Sequence, residues 1–219
     1  MKIDRTVALL TIGGGTVMLT AIYVMGPMLY GLLAGGLQTF VMPSESMSPT
    51  LMVGDRFVAH AIVSADLKRG DIVVFNTQFG GRQVKYVKRV AALPGDIIEL
   101  RNGVIWLNSA VIKQTQISTN EVDISGEKIM QTRLNERFPG ENQTHEIFDN
   151  GKSVGDNFAP VKIPKSYVFM LGDNRDNSAD SRFDNQFGGV GMVDTSEVFA
   201  RVTKIYWSKD SRRIGKAIN

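Results

Sequence analysis

The chain contains no cysteine, which excludes disulfides, thiolate zinc sites, iron–sulfur clusters and cysteine nucleophiles. Histidine is almost as scarce, with only His60 and His145. A histidine metal centre or a histidine-based catalytic network therefore has too few side chains to draw on, and any catalytic base must be another residue type. An excess of one charge is missing too. The 25 Lys and Arg face 22 Asp and Glu, which fits neither a disordered acidic chain nor a strongly basic nucleic-acid binder.

What is present is unevenly placed. After Lys2, Asp4 and Arg5 the next charged residue is Glu45, leaving 39 uncharged positions from Thr6 to Ser44. About 20 apolar residues cross a bilayer, so this stretch suits one tilted helix and is too short for two. Its glycines and Pro27 suit a membrane helix better than a soluble one. A cleaved signal peptide is the rival, but its apolar region runs only about 7 to 15 residues. The expectation is a cytoplasmic tail over 1–5, a transmembrane anchor over 6–38, and an extracytoplasmic domain over 39–219. Lys2 and Arg5 set the orientation by the positive-inside rule. The 219 residues allow that single domain and little else.

From Asp55 onward, short runs rich in Val, Ile, Phe and Tyr are bounded by Gly, Pro, Asn or Asp. They predict strands over Asp55–Val63, Asp71–Phe75, Gln83–Val90, Asp96–Leu100, Val104–Leu107, Tyr167–Leu171 and Val198–Trp207. No useful helical period follows residue 45, so the fold class is mainly β. Residues 108–160 turn polar and read as an inserted, smaller lobe. Four Gly-Asp pairs recur beside the runs, at 54–55, 70–71, 95–96 and 172–173; the first three read as turn chemistry just ahead of a strand.

Three stretches carry candidate chemistry. Pro43-Ser44-Glu45-Ser46-Met47-Ser48-Pro49-Thr50-Leu51 follows the anchor directly; it reads either as a Ser/Pro linker or as the home of a nucleophilic serine that needs a base. In Val84 to Val90, strand alternation sets Val84, Tyr86, Lys88 and Val90 on one face, which makes Lys88 a lysine among apolar neighbours. It reads as a snorkelling side chain or as a buried amine. Gly172 to Arg182 is a dense polar run after an apolar one, and reads as a hydrogen-bonded loop with an Asp180–Arg182 ion pair.

Together these stretches resemble the type I signal peptidases, a serine and lysine protease family. The likeness runs through the anchor, the Pro43–Leu51 stretch, Arg69 to Phe75, Lys88 to Asp96 (KRVAALPGD) and Gly172 to Arg182 (GDNRDNSADSR). It implies a membrane-bound endopeptidase, on the extracytoplasmic face of the plasma membrane, cutting signal peptides from exported preproteins after an Ala-x-Ala-like site. No metal or cofactor is implied, and no nucleic-acid partner. Membrane lipid and the secretion machinery are the implied neighbours. Carried over residue by residue, Ser46 is the nucleophile, Lys88 the general base and Ser44 an oxyanion hydroxyl, with Ser178 holding the amine and Asp180 with Arg182 in support. Phe40, Met42, Pro43, Met47, Leu51, Val74, Tyr86 and Val87 match the substrate pockets. Alternation alone puts Tyr86 and Val87 on opposite faces, so a twist or bulge is expected to bring both to the site.

Two features depart from or extend this pattern. Position 45 holds Glu where many relatives carry Gly, and a carboxylate near Lys88 would raise the pKa that burial must lower, so Glu45 is expected to point to solvent. Phe40 and Met42 beside the anchor suggest an apolar surface resting on the membrane. Lys209, Arg212, Arg213 and Lys216 read either as contacts to anionic lipid or as a solvated tail. Alternatives to a housekeeping peptidase are a specialised pilin-type maturation peptidase and a catalytically dead, membrane-tethered binding domain.

Overall fold

A computed structural model of the chain describes residues 36–124 and 126–218. The expected tail over 1–5 and all but the last three residues of the expected anchor lie outside the described residues. Leu37 and Gln38 open a strand, and among the described residues no helix is long and apolar enough to cross a membrane.

The strands, in chain order, are β1 Leu37–Val41, β2 Arg56–Ala61, β3 Ile72–Phe79, β4 Arg82–Ala92, β5 Ile97–Arg101, β6 Val104–Leu107 and β7 Ala110–Val111. They continue as β8 Gln114–Ile124, β9 Glu127–Glu136, β10 His145–Asp149, β11 Phe158–Lys162, β12 Tyr167–Leu171, β13 Val193–Asp194 and β14 Val198–Trp207. Seven build the main sheet in the order β1-β2-β14-β3-β4-β12-β13, and its ladders from β2 to β13 are antiparallel. A second sheet runs β11-β5-β6-β7 and a third β10-β9-β8. The mainly β expectation holds.

Local sequence explains the hairpins. Gly80 and Gly81 join β3 to β4 with φ of 57° and 75°, and Asn102 and Gly103 join β5 to β6 with φ of 50° and 78°. Two consecutive positive φ angles are what a tight hairpin turn with the right twist requires. The first three Gly-Asp pairs share one device. Gly54, Gly70 and Gly95 sit at φ of 88° to 89°, and Asp55, Asp71 and Asp96 each accept a hydrogen bond from the backbone N–H three residues earlier, at 2.8 to 2.9 Å. The turn-chemistry reading of those aspartates is correct.

The expected strands all form, with ends displaced by a few residues. β3 and β4 run longer than their apolar content indicated because their ladder continues unbroken to Phe79↔Arg82. The polar stretch supplies strands that hydrophobic alternation does not reveal. β8 and β9 pair along nearly their whole length, and most of the side chains described on them are exposed or half-buried.

β3 lies at the centre, and its run Ile72-Val73-Val74-Phe75 is apolar throughout because both faces are covered. Ile72 and Val74 join Met42, Met47, Leu51 and Phe57 in one buried cluster, while Val73 and Phe75 join Val90, Val168 and Met170 in another. Phe40 packs on the first cluster, its ring centroid 5.6 Å from that of Phe57. Met42 is thus buried and Phe40 packs on the core, so neither forms the outward apolar surface expected of them. We predict that Phe75→Ala, at a fully buried position, costs about 3–5 kcal/mol of unfolding free energy. Phe79→Ala, 52% exposed on the same strand, should stay within about 0.5 kcal/mol. Equal urea midpoints for the two variants would contradict this placement of the core.

Candidate active site

The Pro43–Leu51 stretch is a packed turn, which excludes the linker reading. Met47 and Leu51 are fully buried and anchor it from below, and its backbone closes through Ser48 N–H to Glu45 O at 2.9 Å and Leu51 N–H to Met47 O at 2.8 Å. Ser46 is thereby lifted above the sheet, and Asn174 N–H donates to its carbonyl at 3.2 Å. Lys88 reaches it from β4. The Lys88 Nζ lies 2.8 Å from Ser46 Oγ, 3.2 Å from the Val87 carbonyl and 5.3 Å from the Tyr86 ring centroid. The snorkelling reading fails, because Lys88 is only 3% exposed.

Burial lowers the Lys88 pKa from 10.5 to about 8, since the ammonium form loses its hydration. The Asp180 and Asp173 charges pull it back up, and Arg182 pushes it down again. The same short contact serves both protonation states: the ammonium donates to Ser46 Oγ, and the free amine accepts from the Ser46 hydroxyl. The Ser44 hydroxyl donates to Ser46 Oγ at 3.2 Å.

The loop from Gly172 to Arg182 forms the far wall. Arg182 donates to both carboxylate oxygens of Asp180, at 2.8 and 2.9 Å, and Gly172 N–H donates to the same carboxylate at 3.1 Å. Burial pushes the Asp180 carboxyl up, but the Arg182 charge and its hydrogen bonds outweigh this and hold it below its ordinary value. Ser178 Oγ is buried and makes no hydrogen bond among the described residues, so its hydroxyl is not on the Lys88 amine here. Glu45 is exposed and accepts from Asn177 Nδ2 at 3.1 Å.

A cavity of 570 Å³ brings together Ser44, Ser46, Lys88 and Ser178 with Met42, Pro43, Tyr86 and Val87. The other residues matched to pockets do not line it. Met47, Leu51 and Val74 are fully buried in the core beneath, and Phe40 packs beside them. Of the expected twist or bulge, no bulge lies in the β3–β4 ladder at Tyr86 and Val87. The β3–β4 register is continuous through both residues, and the irregularity lies on the other ladder, between Phe169 and Met170. On β4, β12 reaches only Arg89 to Ala92, so among the described residues the earlier half of β4 has no strand partner on that edge. The cavity runs along that edge, where side chains from both faces flank it.

Several residues at the site are absent from the candidates above. Arg89 grips Asp173 with Nε at 2.8 Å and Nη2 at 2.7 Å, and donates from Nη1 to the Gly70 carbonyl at 2.7 Å. Arg175 pairs with buried Glu136, His145 stands between Glu136 and Glu141, and Glu141 lies 3.7 Å from Arg89. Gly172 has no room for a side chain, since a Cβ there would lie 2.1 Å from Ser178 Oγ and 2.5 Å from the Ser46 carbonyl. A sequence signal for Arg89 existed: two adjacent charges inside a buried strand must face opposite sides, so each needs its own partner.

The sequence profile of the family described as signal peptidase, peptidase S26, matches residues 15–207. A signal peptidase I P from Bacillus subtilis subsp. natto is 30% identical over 181 residues, covering 82% of each chain. A signal peptidase I from Bacillus amyloliquefaciens is 31% identical, covering 73% of this chain and 70% of its own. A signal peptidase IB from Staphylococcus aureus is 28% identical, covering 77% and 76%.

The Lys88 environment predicts a pH-dependent stability. Below pH 8 the lysine is charged whether the chain is folded or unfolded, and burying that charge costs about 3 kcal/mol, from a pKa lowered to about 8. Between pH 8 and 10.5 the folded form sheds its proton first and the penalty fades. Lys88→Met should therefore gain stability over the parent at pH 7 and lose that advantage by pH 10.5. A stability difference that stays constant across this range in chemical denaturation would refute the buried ammonium.

Proposed function

Since the chain belongs to the signal peptidase family, peptidase S26, and is a serine endopeptidase acting on preproteins that carry signal peptides, we propose that Ser46 is its nucleophile and Lys88 its general base. The observation that carries this reading is a serine hydroxyl 2.8 Å from a buried lysine amine whose pKa is lowered to about 8. An ordinary lysine, with a pKa near 10.4, is a cation at neutral pH and cannot accept a proton. At about 8 a useful fraction is free amine, and substrate that expels more water from the cavity enlarges it.

In this reading Lys88 takes the Ser46 proton as Ser46 Oγ attacks the scissile carbonyl. The Ser44 hydroxyl turns from Ser46 Oγ to the developing oxyanion, beside the Ser46 backbone N–H. The tetrahedral intermediate collapses to an acyl-enzyme while the Lys88 ammonium protonates the departing amine. Lys88 then activates the water that hydrolyses the ester. Ser178 stands in the same cavity with its hydroxyl unengaged, ready to receive the amine hydrogens when Ser46 becomes acylated. Asp180 and Arg182 hold its loop. Met42, Pro43, Tyr86 and Val87 form the apolar walls that admit the small side chains of an Ala-x-Ala-like site, and Met47, Leu51 and Val74 support those walls from beneath.

The membrane part of the proposal rests on the uncharged stretch of the sequence: an anchor within 6–38, the N-terminus in the cytoplasm, and the domain on the extracytoplasmic face. The Ser46 and Lys88 pair favours this reading over a catalytically dead binding domain.

Ser46→Ala and Lys88→Ala should each abolish cleavage of an Ala-x-Ala precursor in detergent with the fold intact, because nucleophile and base act as one unit. Activity in Ser46→Ala with loss in Ser48→Ala would overturn the assignment. The rate should also fall on the acid side of about pH 8, as Lys88 protonates. Glu45→Gly should leave that limb in place, since Glu45 is turned to Asn177. A limb lowered by a pH unit or more in the variant would show that the two charges are coupled.

A further inference from the structure

Phe187 is 80% exposed, and it lines the cavity that holds Ser46 and Lys88. It stands on a single 3-10 turn, Asn185–Phe187, in the segment that follows Arg182. An aromatic ring left in water is ordinary when it is isolated; this one borders the reacting centre, and its backbone is pinned. Phe187 N–H donates to Asp184 O at 2.8 Å, Gly189 N–H to Asp184 O at 3.1 Å, Gly191 N–H to Phe183 O at 2.9 Å, and Val190 N–H to Asp180 O at 3.2 Å. The last bond ties the turn to the aspartate that pairs with Arg182.

Two glycines make this conformation possible. Gly188 ends the turn at φ 84°, a region that side chains disfavour, and a Cβ on Gly189 would lie 1.9 Å from the Phe183 carbonyl. The chain thus commits two glycines and four backbone hydrogen bonds to presenting one apolar ring at the rim of the cavity. Phe183, four residues earlier, lines the same wall. Opposite stand Tyr86 and Val87 on the uncovered edge of β4, so an extended peptide reaching Ser46 passes between the two walls.

We infer that Phe187 is a specificity-determining residue that receives a large apolar side chain of the preprotein close to the cut. This rests on the proposed function, and it extends the selection beyond the small residues that the Met42, Tyr86 and Val87 walls admit. Substrate is favoured over lipid as the occupant because the ring is continuous with the cavity of the Ser46 and Lys88 pair. A closed apolar contact of this kind changes discrimination by about tenfold or more.

The test uses the full chain in detergent and a set of Ala-x-Ala peptides in which serine at each flanking position, and at x, is replaced by leucine one position at a time. The parent chain should cleave one leucine peptide with a kcat/KM about tenfold above its serine counterpart. That ratio should fall towards one in Phe187→Ala and be largely kept in Phe187→Leu. An unchanged ratio in Phe187→Ala at every position, or equal losses on all peptides, would overturn the inference. So would unchanged ratios together with weaker binding to phosphatidylglycerol vesicles, which would assign the ring to the bilayer. Failure of the parent to cleave any peptide would count against the proposed function itself. Equilibrium binding of the same peptides to Ser46→Ala, with and without Phe187→Ala, then reads the contact without turnover, and equal affinities for the leucine peptide would sink it.

Discussion

The amine of Lys88 is held out of water beside a serine, close to carboxylates that favour its charged form, and the arrangement of the site turns on how those two effects are balanced. Asp173 and Asp180 are both buried and both raise the lysine pKa. Each is clamped by an arginine, Asp173 by Arg89 and Asp180 by Arg182. Lys88 therefore faces ion pairs, whose fields fall off faster than that of a lone charge, and desolvation remains the dominant effect. Losing either arginine would do more than loosen a loop. It would leave an uncompensated carboxylate in a dry interior, at about 3–5 kcal/mol, and favour the ammonium form of Lys88.

The same pairs join the sheets. Asp173 O accepts from Phe148 N–H at 2.8 Å and Arg175 N–H donates to Phe148 O at 2.9 Å, so the Gly172–Arg182 loop lies against β10. Glu136 on β9 receives Arg175 and His145, and Glu141 lies between His145 and Arg89. The sheet formed from the polar stretch thereby contributes buried charges to the support of the site, although none of its side chains lines the cavity of Ser46 and Lys88. Its histidine is engaged with Glu136 and Glu141 and does not line the cavity of Ser46 and Lys88.

How much of this could be read beforehand divides along physical lines. The strands of the main sheet, such as Ile72 to Phe75 and Val198 to Trp207, declare themselves because two buried faces demand continuous or alternating apolar residues. β8 and β9 do not, since a solvated ladder is held by backbone bonds that leave little trace in side-chain type. Ser46, Lys88, Asp180 and Arg182 came from the resemblance to a family, as did the pocket residues. Which of the pocket residues line the cavity, Met42, Pro43, Tyr86 and Val87, and which sit in the core beneath, Met47, Leu51 and Val74, depends on pairing that no single strand displays. Arg89, Asp173 and Glu136 escaped notice because their importance lies in one another, across tens of residues. Phe187 escaped because a lone aromatic among Asn, Gln and Gly reads as loop.

The hydrogen bond from Asn174 N–H to the Ser46 carbonyl, together with the contact of Lys88 to Ser46 Oγ, has a consequence for the chain before it is complete. Ser46 and Lys88 are 42 residues apart, and the neighbouring Arg89–Asp173 pair spans 84; closing such distances comes late in the assembly of a β fold. Until then the lysine is hydrated and cationic, without the burial that lowers its pKa. A nascent chain therefore lacks the buried serine–lysine contact until its main sheet has closed. The timing of that contact during folding is thus set by long-range topology rather than by any local segment.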